Sequence, residues 1–215
     1  KHAVAERIRE YVANGGFVFA MCAATDTIDI ALAAGGVDIV DVPFDGDGID
    51  PHYQNKLDFD HGFAFENFEL ITNPFVYEFS DIDASDYSRL RGAEADYFQL
   101  FDFSAKYDPV PTMLTQNHVN VIDGFLGQTT SFFKDKVKKS VIILGEVPGY
   151  NEVKYLHGNL GKGTFTFYGG HDPEDYQHRV GDPDTILDLY KNSPGYRLIL
   201  NNVLFPAAEK KELRT

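Results

Sequence analysis

The apolar positions of this chain change period several times, and each change marks an element. Val4, Ile8, Tyr11 and Val12 recur at helical spacing and Asn14-Gly15-Gly16 stops the pattern, which predicts an N-terminal helix with those four on its inner face. Phe17-Val18-Phe19-Ala20-Met21 is an unbroken apolar run of strand length, and Cys22 stands at its end. Ala23-Ala24-Thr25-Asp26 then turns the chain into a small-residue helix through Ile28, Ala31 and Leu32. Gly35-Gly36 closes that helix, and Thr25 or Asp26 is the expected N-cap.

From about residue 37 to 108 the pattern breaks up. The stretch is rich in Asp, Phe and Tyr and offers short strand candidates at Phe63-Ala64-Phe65, Phe68-Glu69-Leu70 and Phe75-Val76-Tyr77. It reads as an irregular or antiparallel insertion, about residues 40–110, within a single domain spanning 1–215. Residues 109–116 and 141–144 predict further sheet strands. Ser193-Pro194 supplies a cap and a first-turn proline for a helix containing Tyr196, Ile199 and Val203 that ends near Phe205-Pro206.

One stretch combines pattern with chemistry. A short run ending at Leu160 leads into Gly161-Lys162-Gly163, then an apolar-aromatic strand through Tyr168, then Gly169-Gly170-His171-Asp172-Pro173-Glu174. A glycine turn, a strand and a Gly-Gly break thus deliver a histidine among carboxylates, the way an α/β sheet presents a reactive group at a strand end.

Composition narrows what that group would meet. The chain has 215 residues, 43% of them hydrophobic, enough for one α/β domain with a sizeable core. Nineteen Lys and Arg against 33 Asp and Glu leave a net charge of -14, which repels phosphate backbones, so nucleic acid is excluded as a partner and a neutral or cationic small-molecule substrate fits better. No apolar run approaches the roughly 20 residues that span a bilayer, so this chain is not expected to insert in a membrane. It begins at Lys1 in a helical pattern rather than with Met, so the start reads as truncated or processed and the compartment stays open, an exported or periplasmic one included if a leader was removed. Assembly into a homo-oligomer or larger complex stays open. Cys22 is the single cysteine, which rules out an intrachain disulfide and any cysteine-built zinc or iron-sulfur centre. No cofactor is implied.

Cys22 sits at a strand-to-helix junction with Ala20 and Ala24 two positions either side, the steric room a nucleophile elbow needs, and a helix N-terminus favours a thiolate. The other reading is a small buried thiol that fills space under the sheet. His171 is a candidate general base, substrate donor or metal ligand, with Asp172, Glu174 and Asp175 able to orient its ring. His178 is either a second site residue or an ordinary surface histidine. Asn117 and His118, in Thr115-Gln116-Asn117-His118, offer amide and imidazole groups to a sugar or amide substrate, or form a polar surface loop. Asp45-Gly46-Asp47-Gly48-Ile49-Asp50 begins like a calcium loop, but Lys56 occupies the closing-glutamate position, so an acidic turn is expected and no metal site. Gly158 to Thr164 matches neither a P-loop nor a dinucleotide fingerprint.

Gly161-Lys162-Gly163, the aromatic strand, Gly170-His171-Asp172 and the helix carrying Asn201-Asn202 resemble the trehalose-utilisation (ThuA-like) family. The segment from Phe17 to Thr27, with Ala24-Thr25-Asp26-Thr27 after the strand, resembles that family's other signature. The resemblance covers both ends of the chain. It implies the class I glutamine amidotransferase-like superfamily and its fold, a flavodoxin-like, mostly parallel sheet flanked by helices with the site at the carboxyl ends of the strands. Either the earliest strands of that fold lie upstream of Lys1, or the sheet is built differently. By the resemblance, Cys22 takes the place of the amidotransferase nucleophile and His171 that of its histidine. The acid two residues further on would be Pro173, and Glu174 lies one position later.

The expected activity is carbohydrate-directed, on a sugar or related small polar molecule. His171 would be the acid/base, Cys22, Asp172 and Glu174 would stand beside it, and Tyr168, Thr25, Asp26, Asn117, His118 and His178 would contact substrate. One alternative is a glutaminase-like amide hydrolase in which Cys22 attacks and His171 relays the proton. The other is a non-catalytic binding or assembly module on the same scaffold.

Overall fold

Strand β1 (Phe17–Met21) sorts the core into two layers. Phe17, Phe19 and Met21 pack with Tyr155, Tyr168, Leu144 and Leu198 on one face of a sheet. Val18 and Ala20 pack on the other face with Phe165, Phe167, Val153 and the helices before and after β1. The computed structural model that shows this describes residues 2–92, 95, 97–101, 119–123, 127–171, 173–174, 181 and 183–207.

Helices α1 (His2–Ala13) and α2 (Ala24–Ala33) flank β1 in sequence and cover the same face of the sheet. The buried stripe of α1 is Ala5, Ile8 and Val12, whereas Val4 and Tyr11, expected inside, are 64% and 61% exposed. The small Ala5 lets α1 lie close, and that fixes the stripe one position away from the bulkier residues. A short α3 (Val42–Asp45), 3₁₀ turns and α4 (Ser85–Arg89) follow. Of the strand candidates between them, Phe65 and Leu70 form single bridges to Val137 and Ser80, and Phe75 lies in an exposed turn.

The remaining strands are β2 (Phe98–Leu100), β3 (Val121–Ile122), β4 (Phe132–Phe133), β5 (Ile142–Val147), β6 (Glu152–Leu160) and β7 (Gly163–Tyr168). They form one sheet in the order β1-β7-β6-β5-β2-β3, with β4 also on β6. Helix α5 (Pro194–Leu204), its Ser193 Oγ accepting from Tyr196 N at 3.3 Å, closes the face opposite α1 and α2.

The expected mostly parallel, flavodoxin-like sheet is overturned. Among the described strands only β1 and β7 run parallel; the other pairs are antiparallel, helices are few, and the sheet curls strongly into a half-barrel. The reason is local. Gly161 and Lys162 alone separate β6 from β7, paired Leu160 to Gly163, and a two-residue connection joins only antiparallel strands. Gly161 has φ 59° and Lys162 does not share the positive φ, the pattern of a type II′ turn, and a Cβ at Gly161 would stand 2.5 Å from Ala13 O. Four residues, 148–151, likewise join β5 to β6. β2 comes from the segment read as an insertion, yet it pairs with β5 inside the sheet. Residues 109–116, expected as a strand, lie outside the described residues. No described helix is long and apolar enough to cross a membrane.

One row of the sheet determines where a site forms. β6 gives Tyr155–Leu160 to β7, and the same edge at Glu152 and Val153 to β4. The next row repeats the succession, with β1 beside β7 and Asp83 bridged to Phe132 of β4. Both rows therefore break at the same level, where β1 and β7 end.

Buried polar groups tie the loops down. Asp29 of α2 is fully enclosed, and its carboxylate accepts from the N–H groups of Phe63, Ala64 (2.7 Å) and Phe65 (2.8 Å). Burial raises its pKa to about 6, against the opposing pull of those donors and of Lys138. Glu152, also enclosed, pairs with Arg91 and accepts from Ser88 Oγ at 2.6 Å and Ser131 Oγ at 2.8 Å. Asp29→Asn keeps the shape but turns an NH2 toward backbone donors, so we expect a loss of about 1–3 kcal/mol in urea unfolding, the cost of a buried unsatisfied donor.

Candidate functional site

Met21 lies beside Tyr168 in the parallel pair, so the residues that follow the two strands emerge side by side. Cys22 continues β1 for one more bond, its N–H donating to Tyr168 O at 3.0 Å, and then the backbone reverses into α2 with φ 56° at Cys22. A left-handed conformation at a residue with a side chain costs on the order of 1–3 kcal/mol and persists only where neighbours impose it. Here Thr25 imposes it: its N–H and its Oγ1 both donate to Cys22 O, at 3.1 and 2.7 Å. The reversal leaves the half-buried thiol beside Gly127 and Gln128.

On the β7 side, Gly169 N donates to Lys154 O (2.8 Å) and Gly170 N to Thr129 O (2.7 Å), so the chain leaves β6 and crosses the segment 127–131 before reaching His171. A Cβ at Gly169 would stand 2.5 Å from Thr130 O, so glycine is needed for that crossing. Gly127 borders both candidate groups. A Cβ there would lie 2.8 Å from His171 Nδ1 and 3.0 Å from Cys22 Sγ. Gln128 N–H, one residue on, donates to Cys22 Sγ at 3.1 Å. A donor aimed at sulfur stabilises negative charge on it.

Carboxyls lie around this group. Asp26, in the first turn of α2, is fully buried; Oδ1 accepts from Thr27 N at 2.9 Å, and Oδ2 has no hydrogen-bond partner among the described residues. Burial first, then the nearby Asp83 and to a lesser degree Cys22, hold Asp26 well above the usual carboxylate range. Asp83 is pushed up to about 6, mainly by burial, although Ser85 N (2.8 Å) and Ser85 Oγ (2.5 Å) contact its Oδ1.

The structure brings Cys22 and His171 to one space and moves other candidates away from it. Tyr168, expected to line a pocket, is fully enclosed and stacked on Tyr155 with ring centroids 4.2 Å apart, and its hydroxyl meets Asn202 Nδ2 at 3.2 Å. Its place on the α5 face, set by the alternation of β7, makes it a core residue. Thr25 and Asp26 are buried within the first turn of α2 and do not cap it; the N-cap is Ala23. Thr25 supports the elbow and presents nothing to substrate. Glu174 is half-buried with φ 70°. Asp172, Asn117, His118 and His178 lie outside the described residues. Asp38, Asp45 and Asp47 bring carboxylate oxygens within 4.8 Å of one another in a solvent-facing turn, the nearest approach to a cation-binding group among the described residues.

Sequence reasoning missed Gly127, Gln128, Ser85 and Asp83. The only signal was the run Gly127-Gln128-Thr129-Thr130-Ser131, small and polar before two phenylalanines, which marks a tight segment without naming its neighbours. A groove of about 480 Å³ also lies against the paired strands β2 and β5, lined by Leu100, Phe101, Lys134, Leu144 and Glu146 and including neither Cys22 nor His171.

Two measurements test this geometry. If Cys22 is held in a left-handed conformation, Cys22→Gly should unfold at higher urea than Cys22→Ala, by about 1 kcal/mol. Asp83 has a folded pKa near 6 against an ordinary 3.8, so its contribution is fully present below 3.8 and is lost as pH rises through 6. The stability of Asp83→Asn relative to the unsubstituted protein should therefore rise between about pH 4 and pH 7, as followed by urea melts across that range. Comparison of the chain with family models, with curated protein sequences and with solved structures gave no match.

Proposed function

We propose that this protein is a cysteine-dependent hydrolase of an amide or related acyl substrate, with Cys22 as nucleophile and His171 as proton carrier. The observation that supports it is the backbone of Cys22. A residue with a side chain is held at φ 56° between a strand and a helix, at the spot where the Gln128 N–H donates to its sulfur and where the His171 ring borders the same glycine, Gly127. Strain of this kind clusters at functional sites because it aims a reactive group.

In this reading the sulfur attacks the carbonyl carbon, His171 takes the thiol proton and passes it to the leaving amine, and water then cleaves the thioester with His171 as base. The acidic surface turns anionic substrates away and favours neutral or cationic ones. Carbohydrate-directed activity rested on the family resemblance and on the sheet it implied. With that sheet replaced by a curled antiparallel one, the thiol-imidazole pair is the better-supported basis.

Because Cys22 is the only cysteine, a mass shift reports it alone. At pH 7 an ordinary thiol is only a few per cent thiolate, so we expect iodoacetamide to label Cys22 about tenfold faster than glutathione, with His171→Gln removing most of that advantage. Labelling only on denaturation, or at the same rate in both proteins, would favour the space-filling thiol and a non-catalytic module.

A further inference from the structure

We infer that Gly127 is the positioning residue of this site: its lack of a side chain lets the Cys22 sulfur and the His171 ring share one space, with Gln128 N–H presented to the sulfur. This rests on the reading of Cys22 and His171 as the reacting pair.

The backbone of residue 127 does not call for glycine, because its φ lies outside the left-handed region that only glycine adopts easily. The space does call for it. A single methyl group would stand 2.8 Å from His171 Nδ1, closer than real Cβ atoms come, and 3.0 Å from both Cys22 Sγ and Gly170 Cα, where a neighbour must give by a few tenths of an ångström. One of the three must give way, and the Gly170 backbone is pinned by its bond to Thr129 O at 2.7 Å. The movable partners are the thiol and the imidazole, so a methyl at 127 drives them apart.

The segment cannot readily retreat either. Thr130 Oγ1 donates back to Gly127 O at 2.9 Å, Thr130 N donates to Ser85 Oγ at 2.7 Å, and Ser85 Oγ lies 2.9 Å from Gln128 O. Ser85 thus holds the segment from below and the Gly169-Gly170 crossing holds it from above. Position 127 becomes a fixed wall, and its composition decides whether the pair meets.

The test compares Gly127→Ala, His171→Gln, the double variant and Ser85→Ala by rate of iodoacetamide labelling as a function of pH, with melting curves alongside. Gly127→Ala should lose about tenfold in rate at pH 7, take on the pH–rate profile of His171→Gln, and cost nothing further in the double variant. Ser85→Ala leaves position 127 intact but frees the wall, and should slow labelling while remaining folded; it carries the test if Gly127→Ala does not fold. A fast, His171-sensitive thiol in the unsubstituted protein together with an unaltered profile in Gly127→Ala, or in Ser85→Ala, overturns the positioning role and leaves the hydrolase reading standing. A thiol insensitive to His171→Gln overturns that reading itself.

Discussion

β6 has one edge and two occupants, and the rest of the structure follows from how they divide it. β7 takes residues 155–160 and β4 takes 152–153, so β7 must lift away after Tyr168. A strand that leaves a sheet needs new partners for its backbone: Gly169 still donates to Lys154 O of β6, and Gly170, the first residue off that edge, finds Thr129 O. β1 runs parallel to β7 in register and ends at the same level. The division of one edge therefore opens the rows, produces the crossing and brings a thiol and an imidazole to the same glycine, Gly127.

Buried polar groups decide whether that opening keeps its shape. Glu152 sits at the start of β6, where β4 takes over, bonded to Ser131 of the wall segment, to Ser88 of α4 and to Arg91. Loss of one partner from such an enclosed set costs several kcal/mol, since the charge left behind cannot reach water. Asp29 does the same for residues 63–65 through three N–H groups. These carboxylates add little net stability compared with apolar packing, but they fix which loop lies where, and a site built from loop backbones needs that.

Local pattern revealed the elements of this protein better than their assembly. The unbroken run at 17–21, the Gly-Lys-Gly turn and Ser193-Pro194 each carry a physical signal within a few residues, and each element formed where expected. Sheet direction was misread because apolar runs buried on both faces look alike in parallel and curled antiparallel sheets. The two-residue turn at Gly161-Lys162 already favoured the antiparallel answer. β2 escaped notice because three residues, Phe98–Leu100, give no period to detect. At the site, Cys22 and His171 were legible from their strand-end positions, whereas Gly127 was not. What distinguishes Gly127 is the atoms around it, contributed by segments far along the chain.

The pairing of β1 with β7 also sets an order of events in time. Phe17 meets Thr164 across most of the chain, and among the described strands β1 pairs with β7 alone. Closing so long a loop costs entropy that only the finished contact repays, which makes it a late step in folding. On the ribosome, α1, β1 and α2 emerge first and must wait for everything up to Tyr168 before Cys22 N has its acceptor. Until then the two Thr25 bonds to Cys22 O are the elbow's own support, and the bond from Cys22 N to β7 is still to come. A nascent or truncated chain that stops short of β7 would hold Cys22 without Tyr168 O as its acceptor and without the Gly169-Gly170 crossing that leads to His171.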